Sequence, residues 1–494
     1  MRRLCPRPPR ASFGPTVTEP ARHVNDRLAT PFPSTSAAAA DVLCRPIAWR
    51  DPVDAFAAIR HRAWPVLLDS ALADGTRGRW SLIAAEPFQR IEVAAGAGED
   101  PFAALADLIA RHRIDPDDGL PPLGPGAIGW LGYEAGRFAD RMPAPLPEGL
   151  DLPDAAFGLY DCVAVFDAVE RQAFVLSAGW PETEPAARRR RAAARAEDLA
   201  TAIAAAPALP PPDPAPRGVW RAEMPAEGYR GGVRRIRDWI AAGDIYQANL
   251  TQRFLADLPD GLDPFTLHRR LRALSPAPFA AFLDFGAGRW IASASPERFL
   301  SVDPAGRVET RPIKGTRPRG TDPATDAALA AELQASEKDR AENLMIVDLL
   351  RNDLSRVCAV GSVRVPVLCG LESFPRVHHL VSVVEGRLAP GRGAIDLLRA
   401  CFPGGSITGA PKIRAMEIIR TLEPARRGPY CGSIVHLGFD GSMDSSIVIR
   451  TLCGAGGLVA AQAGGGIVYD SDPDAEYDEA MVKVRPLLQA LAGG

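Results

Sequence analysis

The chain has 494 residues, 47% of them hydrophobic and 24% charged, with a formal net charge of -3 at pH 7. Such a length accommodates two or three domain-sized units or one large composite fold, and the composition is ordinary for a soluble globular protein. The slightly acidic balance argues against a general nucleic-acid binder, and no run of about 18 apolar residues reads as a membrane span.

The eight cysteines (Cys5, Cys44, Cys162, Cys358, Cys369, Cys401, Cys431 and Cys453) are scattered, with no Cys-x-x-Cys pair and no zinc-type Cys/His spacing. Reduced thiols of a cytoplasmic protein are the simplest reading. Residues 1–40 are rich in Arg, Pro, Ser, Thr and Ala with little apolar periodicity. No apolar segment follows the basic start, so the stretch reads as a disordered tail or as an upstream start codon.

Residues 43–180 form a mixed region. Strands are expected at 63–70, 80–85 and 126–133, a helix at 101–111, and a strand pair across 155–174. The glycines at 126–132 imply close backbone approach rather than a phosphate loop. Residues 184–205 read as a helix whose basic cluster, Arg188 to Arg191, is a solvated face. The proline run at 207–216 reads as a stiff linker and the best domain boundary, with 181–224 as the connection. From about 225 to 491 a single α+β unit is expected, rich in antiparallel strands. It has helices at 229–242, 324–335, 336–352 and 411–421, strands at 245–254, 363–368, 378–388, 432–439, 446–453 and 457–462, and a closing helix from Pro473.

The run Arg311-Pro312-Ile313-Lys314-Gly315-Thr316-Arg317-Pro318-Arg319 is a strand end entering a Pro/Gly turn. A lysine held among cations and partly desolvated loses its proton more easily, and the neutral amine is a nucleophile or a base. The alternative is a solvated basic loop.

The helix from Ser336 carries a capping signal, Ser336 with Asp339, and its Glu342, Met345 or Ile346, and Leu349 share a face. An acid on that face is salt-bridged or bound to a cation. In the last helix, capped by Asp472 with Pro473 first, Glu476, Glu479 and Lys483 share a face. That spacing is a solvated charged face, or it makes Glu479 a metal ligand and Lys483 an anion binder. Glu342 and Glu479, if they converge, fit magnesium, which takes one or two carboxylates. The Gly-rich turn at 404–409 enters a helix that Ser406 or Thr408 caps, a ready anion site, and Gly464-Gly465-Gly466 is either a tight turn or a set of close backbone N–H groups. Arg450 is read as a strand-borne cation. Two anion sites and a metal suggest a small substrate with two carboxylates.

Together these pieces resemble the chorismate-utilising enzyme family. The resemblance spans about residues 225–490 and, more weakly, 43–180. It rests on Gly243-Asp244-Ile245-Tyr246-Gln247-Ala248-Asn249-Leu250, Ser295-Pro296-Glu297-Arg298-Phe299, the Lys314 motif, Asp339 to Leu344, His379-Leu380-Val381-Ser382, Gly405 to Lys412, and Gly464 to Lys483, in this order. It implies the large antiparallel α+β chorismate-binding fold, like that of anthranilate synthase component I, with helices packed outside the sheets. Lys314 discriminates within the family: the anthranilate-forming branch carries alanine there, so the resemblance points to the branch that makes 4-amino-4-deoxychorismate. Isochorismate and salicylate synthases place a water-activating lysine where this chain has Gln247.

The resemblance further implies Mg2+ held by Glu342 and Glu479 on the ring carboxylate of chorismate. Ser406, Arg450, Gly464 to Gly466 and Lys483 would hold the rest of the substrate. Lys314 would attack ring carbon C2, Glu297 would protonate the departing 4-hydroxyl, and His379 would lie near the C1 carboxylate. Ammonia would come from a separate glutamine amidotransferase subunit, since no Gly-x-Cys-x-Gly nucleophile motif occurs. Ser70, Arg77-Gly78-Arg79-Trp80 and Pro278-Phe279-Ala280 match a tryptophan pocket of relatives, although Asp69 stands where feedback-regulated relatives have Glu.

Overall fold

Alternating apolar side chains along the strands build two large sheets. In the computed structural model, which describes residues 42–72, 78–212, 218–374 and 377–492, Leu82 and Ile83 enter different cores, as do Leu283 and Phe282. Strands apolar on both faces are the mark of a sheet covered on both sides. Among the described residues one sheet has twelve strands and the other ten, and their ladders are antiparallel.

The largest core gathers residues of both sheets, among them Leu82, Trp130, Phe157, Leu283 and Val435. It also takes in the apolar faces of helices Pro101–Arg111, Glu337–Ser355 and Ala394–Cys401. The second core lies on the other face of the twelve-stranded sheet, under helices Pro52–Ala57, Pro185–Ala205, Pro264–Leu274 and Pro473–Ala492. This is the α+β arrangement, helices outside sheets, that the resemblance implied.

Both sheets run across the proline segment. Strand Val66–Asp69 pairs with Phe279–Asp284, and Gly126–Leu131 pairs with Ser433–Gly438. The described residues therefore belong to one compact unit, and Pro207 to Pro212, which follow helix Pro185–Ala205, do not separate two sheets. The expectation for residues 1–40 lies outside the described residues.

The helix expected at 184–205 spans Pro185–Ala205, but its basic cluster is not simply solvated. Arg191 Nε donates to the Trp180 carbonyl at 2.7 Å and pairs with Asp161, while Arg188 lies over the Trp180 ring. The stretch 446–453 is not one strand: Met443–Ile447 and Thr451–Ala455 belong to different sheets, with Arg450 at the bend between them. No described helix is long and apolar enough to cross a membrane.

Candidate active site

Lys314 lies on strand Ile313–Pro318, at one end of the ten-stranded sheet, opposite Leu380 of strand Val377–Arg387. The register slips between Lys314 and Thr316, so Gly315 is an extra, bulged residue. Its φ is +79°, and a Cβ there would lie 2.9 Å from Leu333 Cδ1 and 3.0 Å from Asp339 Cβ. Only glycine meets both demands, and its small size lets the strand approach the two helices Pro323–Ala335 and Glu337–Ser355.

The neighbouring arginines are spent elsewhere, which corrects the expected field of cations. Arg311 pairs with Glu309 and Glu372, Arg317 with Glu332 and Asp339, and Arg319 with Asp326. The groups that feel the half-buried Lys314 ammonium are instead three carboxylates, Glu297, Glu342 and Glu479.

Glu297 is buried in the turn between strands Trp290–Ser295 and Arg298–Val302, where its backbone N–H donates to Ser295 Oγ at 3.3 Å. Burial pushes its carboxyl up to about 7, against the opposing pull of a hydrogen bond with Ser406 and the charge of Lys314. A carboxylic acid that keeps its proton near neutrality, beside an amine, is equipped to protonate a leaving group.

Ser406 sits in a short 3-10 turn, Gly405–Ile407, and its carbonyl accepts from Asn249 Nδ2 at 2.8 Å. The turn and the following helix are not one anion site. The strand Gly409–Ala410 intervenes, the helix Lys412–Leu422 is preceded by Pro411 with no side-chain cap, and Thr408 Oγ1 donates to the Gly404 carbonyl at 3.0 Å.

Helix Glu337–Ser355 carries Glu342 to the site. Ser336 Oγ accepts from the Asp339 N–H at 3.3 Å, as the capping signal predicted. Asn343 is fully buried and donates to the Leu380 carbonyl at 3.3 Å, tying the helix to the cross-strand partner of Lys314. Two turns on, Leu349 packs where a Cβ on Gly405 would lie, 2.5 Å from its Cδ2. The Glu342 face thus looks toward the Ser406 turn. Burial raises the Glu342 carboxyl above its ordinary value, while the Lys314 and Lys338 ammoniums act the other way.

The three glycines are not a tight turn. They lie inside strand Leu458–Ile467, with Gly464 opposite Thr251 and Gly466 opposite Asn249. Asn249 N–H donates to Thr408 and Thr251 N–H to Glu423, both away from the glycine strand. By antiparallel alternation, Gly464 and Gly466 then turn their own backbone groups to the opposite edge. There the pairing with Thr451–Ala455 has ended at Ala461, and the Gly464 carbonyl accepts from Lys483 Nζ at 3.0 Å. Gln247 is fully buried, and neither amide atom has a partner among the described residues; a Cβ on Gly466 would lie 2.0 Å from its Nε2.

Helix Pro473–Ala492 begins as expected, with Asp472 Oδ1 accepting from the N–H groups of Asp474 and Ala475 at 3.1 and 3.0 Å. Its Glu479 is exposed and pairs with Lys483 at 2.6 Å. Burial of part of the carboxyl works upward, but Lys483, Lys338 and Lys314 together hold it below its ordinary value. Arg450 has φ +52°, and its guanidinium pairs with no acid among the described residues; burial lowers its basicity against the fields of Tyr430 and Glu479. A part-buried cation without a counter-ion is suited to an incoming anion. Tyr430 was missed in the sequence. It is buried beside Cys431, whose N–H donates to Val448 at 2.8 Å, and the Gly428-Pro429 turn before a strand was its only local signal.

Glu342, Glu479 and a third acid, the buried Glu476, offer hard oxygen donors. A Cβ on Gly465 would lie 3.1 Å from Glu476 Oε2, 3.8 Å from Lys483 Nζ and 4.0 Å from Glu479 Oε1, so the missing side chain leaves a cradle between them. No preformed group of three or more His, Cys, Asp or Glu ligands occurs among the described residues. Hard carboxylate oxygens are the donor type that Mg2+ takes, one or two at a time, with water and substrate oxygens completing its octahedron.

His379 lies opposite Thr316, with its Nδ1 2.9 Å from Thr316 Oγ1. In the amino-terminal region Ser70 Oγ donates to the Trp80 carbonyl at 2.6 Å, and Ala280 pairs with Asp69. Gly78 has φ +67°, and Phe279 lies under the Arg298 guanidinium. Pro278 is buried next to it. Arg79 is spent on Asp167 and Asp69 on Arg272. Arg77 lies outside the described residues.

Residues 68–489 match the profile of the chorismate binding enzyme family. The chain is 42% identical to aminodeoxychorismate synthase component 1 of Klebsiella aerogenes over 88% of its length and 95% of that protein. It is 43% identical to anthranilate synthase component 1 of Streptomyces coelicolor over 86% of its length and 83% of that protein. Among solved structures, anthranilate synthase component I from Streptococcus pneumoniae superposes with a TM-score of 0.72 at 34% identity, covering 83% of this chain and 92% of the other. The menaquinone-specific isochorismate synthase of Escherichia coli, at 17% identity, shares the fold with a TM-score of 0.70 over 91% of this chain and 94% of its own.

Proposed function

The chain belongs to the chorismate binding enzyme family, and from that premise we propose that it converts chorismate and ammonia to 4-amino-4-deoxychorismate, as an aminodeoxychorismate synthase component I. The observation that carries this reading is Lys314 on its bulged strand, its ammonium acting on the buried Glu297. In this reading Lys314 first gives up a proton to solvent; its neutral Nζ then bonds to ring carbon C2 while the 4-hydroxyl departs with the Glu297 proton as water, and the proton shed by Nζ returns to the Glu297 carboxylate. Ammonia then bonds to C4 and the C2–N bond to the lysine breaks, freeing the amine. Splitting one displacement into two is covalent catalysis.

Arg450, Lys483, the open backbone groups of Gly464 and Gly466, and the Ser406 turn support this by presenting cations and donors to a dicarboxylate. The Gln247 amide lies over Gly466, where a Cβ would be, and His379 stands opposite Thr316, two residues from Lys314. Mg2+ held by Glu342 and Glu479 would neutralise and orient one carboxylate. Ammonia comes from a glutamine amidotransferase partner, in keeping with relatives named component 1. The product serves folate precursor synthesis in the cytoplasm. Tryptophan at Ser70, Gly78 to Trp80 and Pro278 to Ala280 belongs to the same reading, and a calorimetric titration without heat removes it.

A second reading, anthranilate formation, draws on relatives at similar identity; Lys314 weighs against it. Chromatography of the amine formed from chorismate, ammonium and Mg2+ separates the two. 4-Amino-4-deoxychorismate supports the proposal, and anthranilate overturns it. Chorismate binding without either product would mark a non-catalytic binding partner.

A further inference from the structure

Arg427 carries a charge into the interior and uses each nitrogen of its guanidinium there. It is 4% exposed, and the guanidinium lies 4.6 Å from the centre of the Tyr133 ring. Nε and Nη2 donate to the two oxygens of the buried Glu423 at 2.9 and 2.7 Å. Nη1 donates to the Ile407 carbonyl at 3.0 Å, and Nη2 donates again to the Asn249 carbonyl at 2.8 Å. The backbone is fixed as well, because the N–H groups of Arg427 and Gly428 donate to the buried Glu134 at 2.8 and 3.0 Å. Glu423 in turn accepts from the Thr251 N–H at 3.0 Å and from its hydroxyl at 2.8 Å.

Ile407 and Asn249 both border Ser406. Ile407 follows it in the turn Gly405–Ile407, and Asn249 Nδ2 donates to the Ser406 carbonyl at 2.8 Å. Arg427 therefore closes a ring of hydrogen bonds that runs from strand Gln247–Asp257 through its own guanidinium to the turn and back. The Ser406 side chain hydrogen-bonds with Glu297. A buried ion pair seldom adds stability over apolar side chains that fill the same space. Apolar side chains cannot fork between a carboxylate and two backbone carbonyls, which is what a planar guanidinium does.

We propose that Arg427, with Glu423 as its counter-charge, is a positioning residue: it sets the Gly405–Ile407 turn against the strand that carries Asn249, and so aims the Ser406 hydroxyl at Glu297. The inference rests on the reading of Glu297 as the proton donor.

The test is steady-state turnover of chorismate with ammonium and Mg2+ by the full chain, followed as a function of pH. Arg427→Lys keeps a charge opposite Glu423 but loses the fork. Its turnover should fall about tenfold. The alkaline limb of its pH–rate profile should move up, since a Glu297 that loses the Ser406 hydrogen bond keeps its proton to higher pH. Lys314, whose charge also acts on Glu297, is left in place. Ser406→Ala should move the limb the same way, and the double variant should lose no more turnover than Arg427→Lys alone. Glu423→Gln, close to the native shape, serves with the same expected pattern if Arg427→Lys fails to fold. Wild-type turnover with an unmoved limb, or additive losses in the double variant, overturns the positioning role and leaves the Glu297 reading standing. Wild-type behaviour of Ser406→Ala overturns it too. Wild-type turnover in Glu297→Gln overturns the reading of Glu297 and the inference with it.

Discussion

The side-chain amide of Asn343 donates to the backbone carbonyl of Leu380 at 3.3 Å, and Leu380 stands opposite Lys314 in the sheet. Together with the bond that Ser382 Oγ donates to Asn343 Oδ1, this bond sets the helix that carries Glu342 against the strand pair that carries the nucleophile. Replacing Asn343 by Leu leaves the Leu380 carbonyl without this donor and costs about 1–3 kcal/mol. A fall in thermal midpoint with a larger fall in kcat than in chorismate affinity is expected. Unchanged kcat would show that the bond does not position the site.

Glu297 titrates near 7 in the folded protein, above its value of about 4.3 in an unfolded chain. Between those values the folded state holds a proton that the unfolded state has lost, so this group's contribution to stability falls as pH rises from about 4.3 to 7. Glu297→Gln should therefore gain stability relative to wild type on going from pH 4.5 to pH 8, by at most about 3 kcal/mol. The same variant should lose turnover, and the wild-type rate should decline as the acid deprotonates above about 7. Denaturant melts at the two pH values and a pH–rate profile check both.

Gly315 and Gly391 share a φ of +79°, but a Cβ meets Leu333 and Asp339 at the first and nothing within 4 Å at the second. Alanine at 391 should cost only the left-handed backbone, about 1–2 kcal/mol. Alanine at 315 should cost that and a further 1–3 kcal/mol or so of overpacking, and should abolish turnover because it moves Lys314. Equal thermal midpoints for the two variants would remove the close approach as the reason for glycine.

Arg450 makes no ion pair with the described residues, so Arg450→Gln should leave the thermal midpoint unchanged or slightly raised. Chorismate affinity should fall about ten- to a hundredfold, the worth of a charged hydrogen bond. Lysine should rescue it poorly, because a point charge does not reproduce the planar fork. Calorimetry with chorismate in the absence of ammonium reads this directly.

Local signals were legible where chemistry and conformation coincide in sequence. Ser336 and Asp472 cap the helices they were expected to cap, and the glycines near 129 do mark close backbone approach, a Cβ there lying 1.9 Å from the Ala156 carbonyl. What depends on distant segments was not legible. The strand status of Gly464 to Gly466 comes from pairing with residues 249–251, some two hundred residues earlier in the chain. The bend at Arg450 arises because neighbouring strands join different sheets. The arginines around Lys314 looked like its electrostatic environment, yet their partners, Glu372, Glu332 and Asp326, come from later elements. The proline segment looked like a boundary because composition reports stiffness, not which strands pair across it.

The central claim is that the amine of Lys314 performs the displacement, and its most direct test compares wild type with Lys314→Ala. Each is given chorismate, Mg2+ and ammonium salt, with a lyase added to convert the product to 4-aminobenzoate for chromatography. The account predicts 4-aminobenzoate from the wild type, and a variant that still binds chorismate but has lost turnover. A Lys314→Ala variant that forms 4-aminobenzoate at the wild-type rate would contradict it.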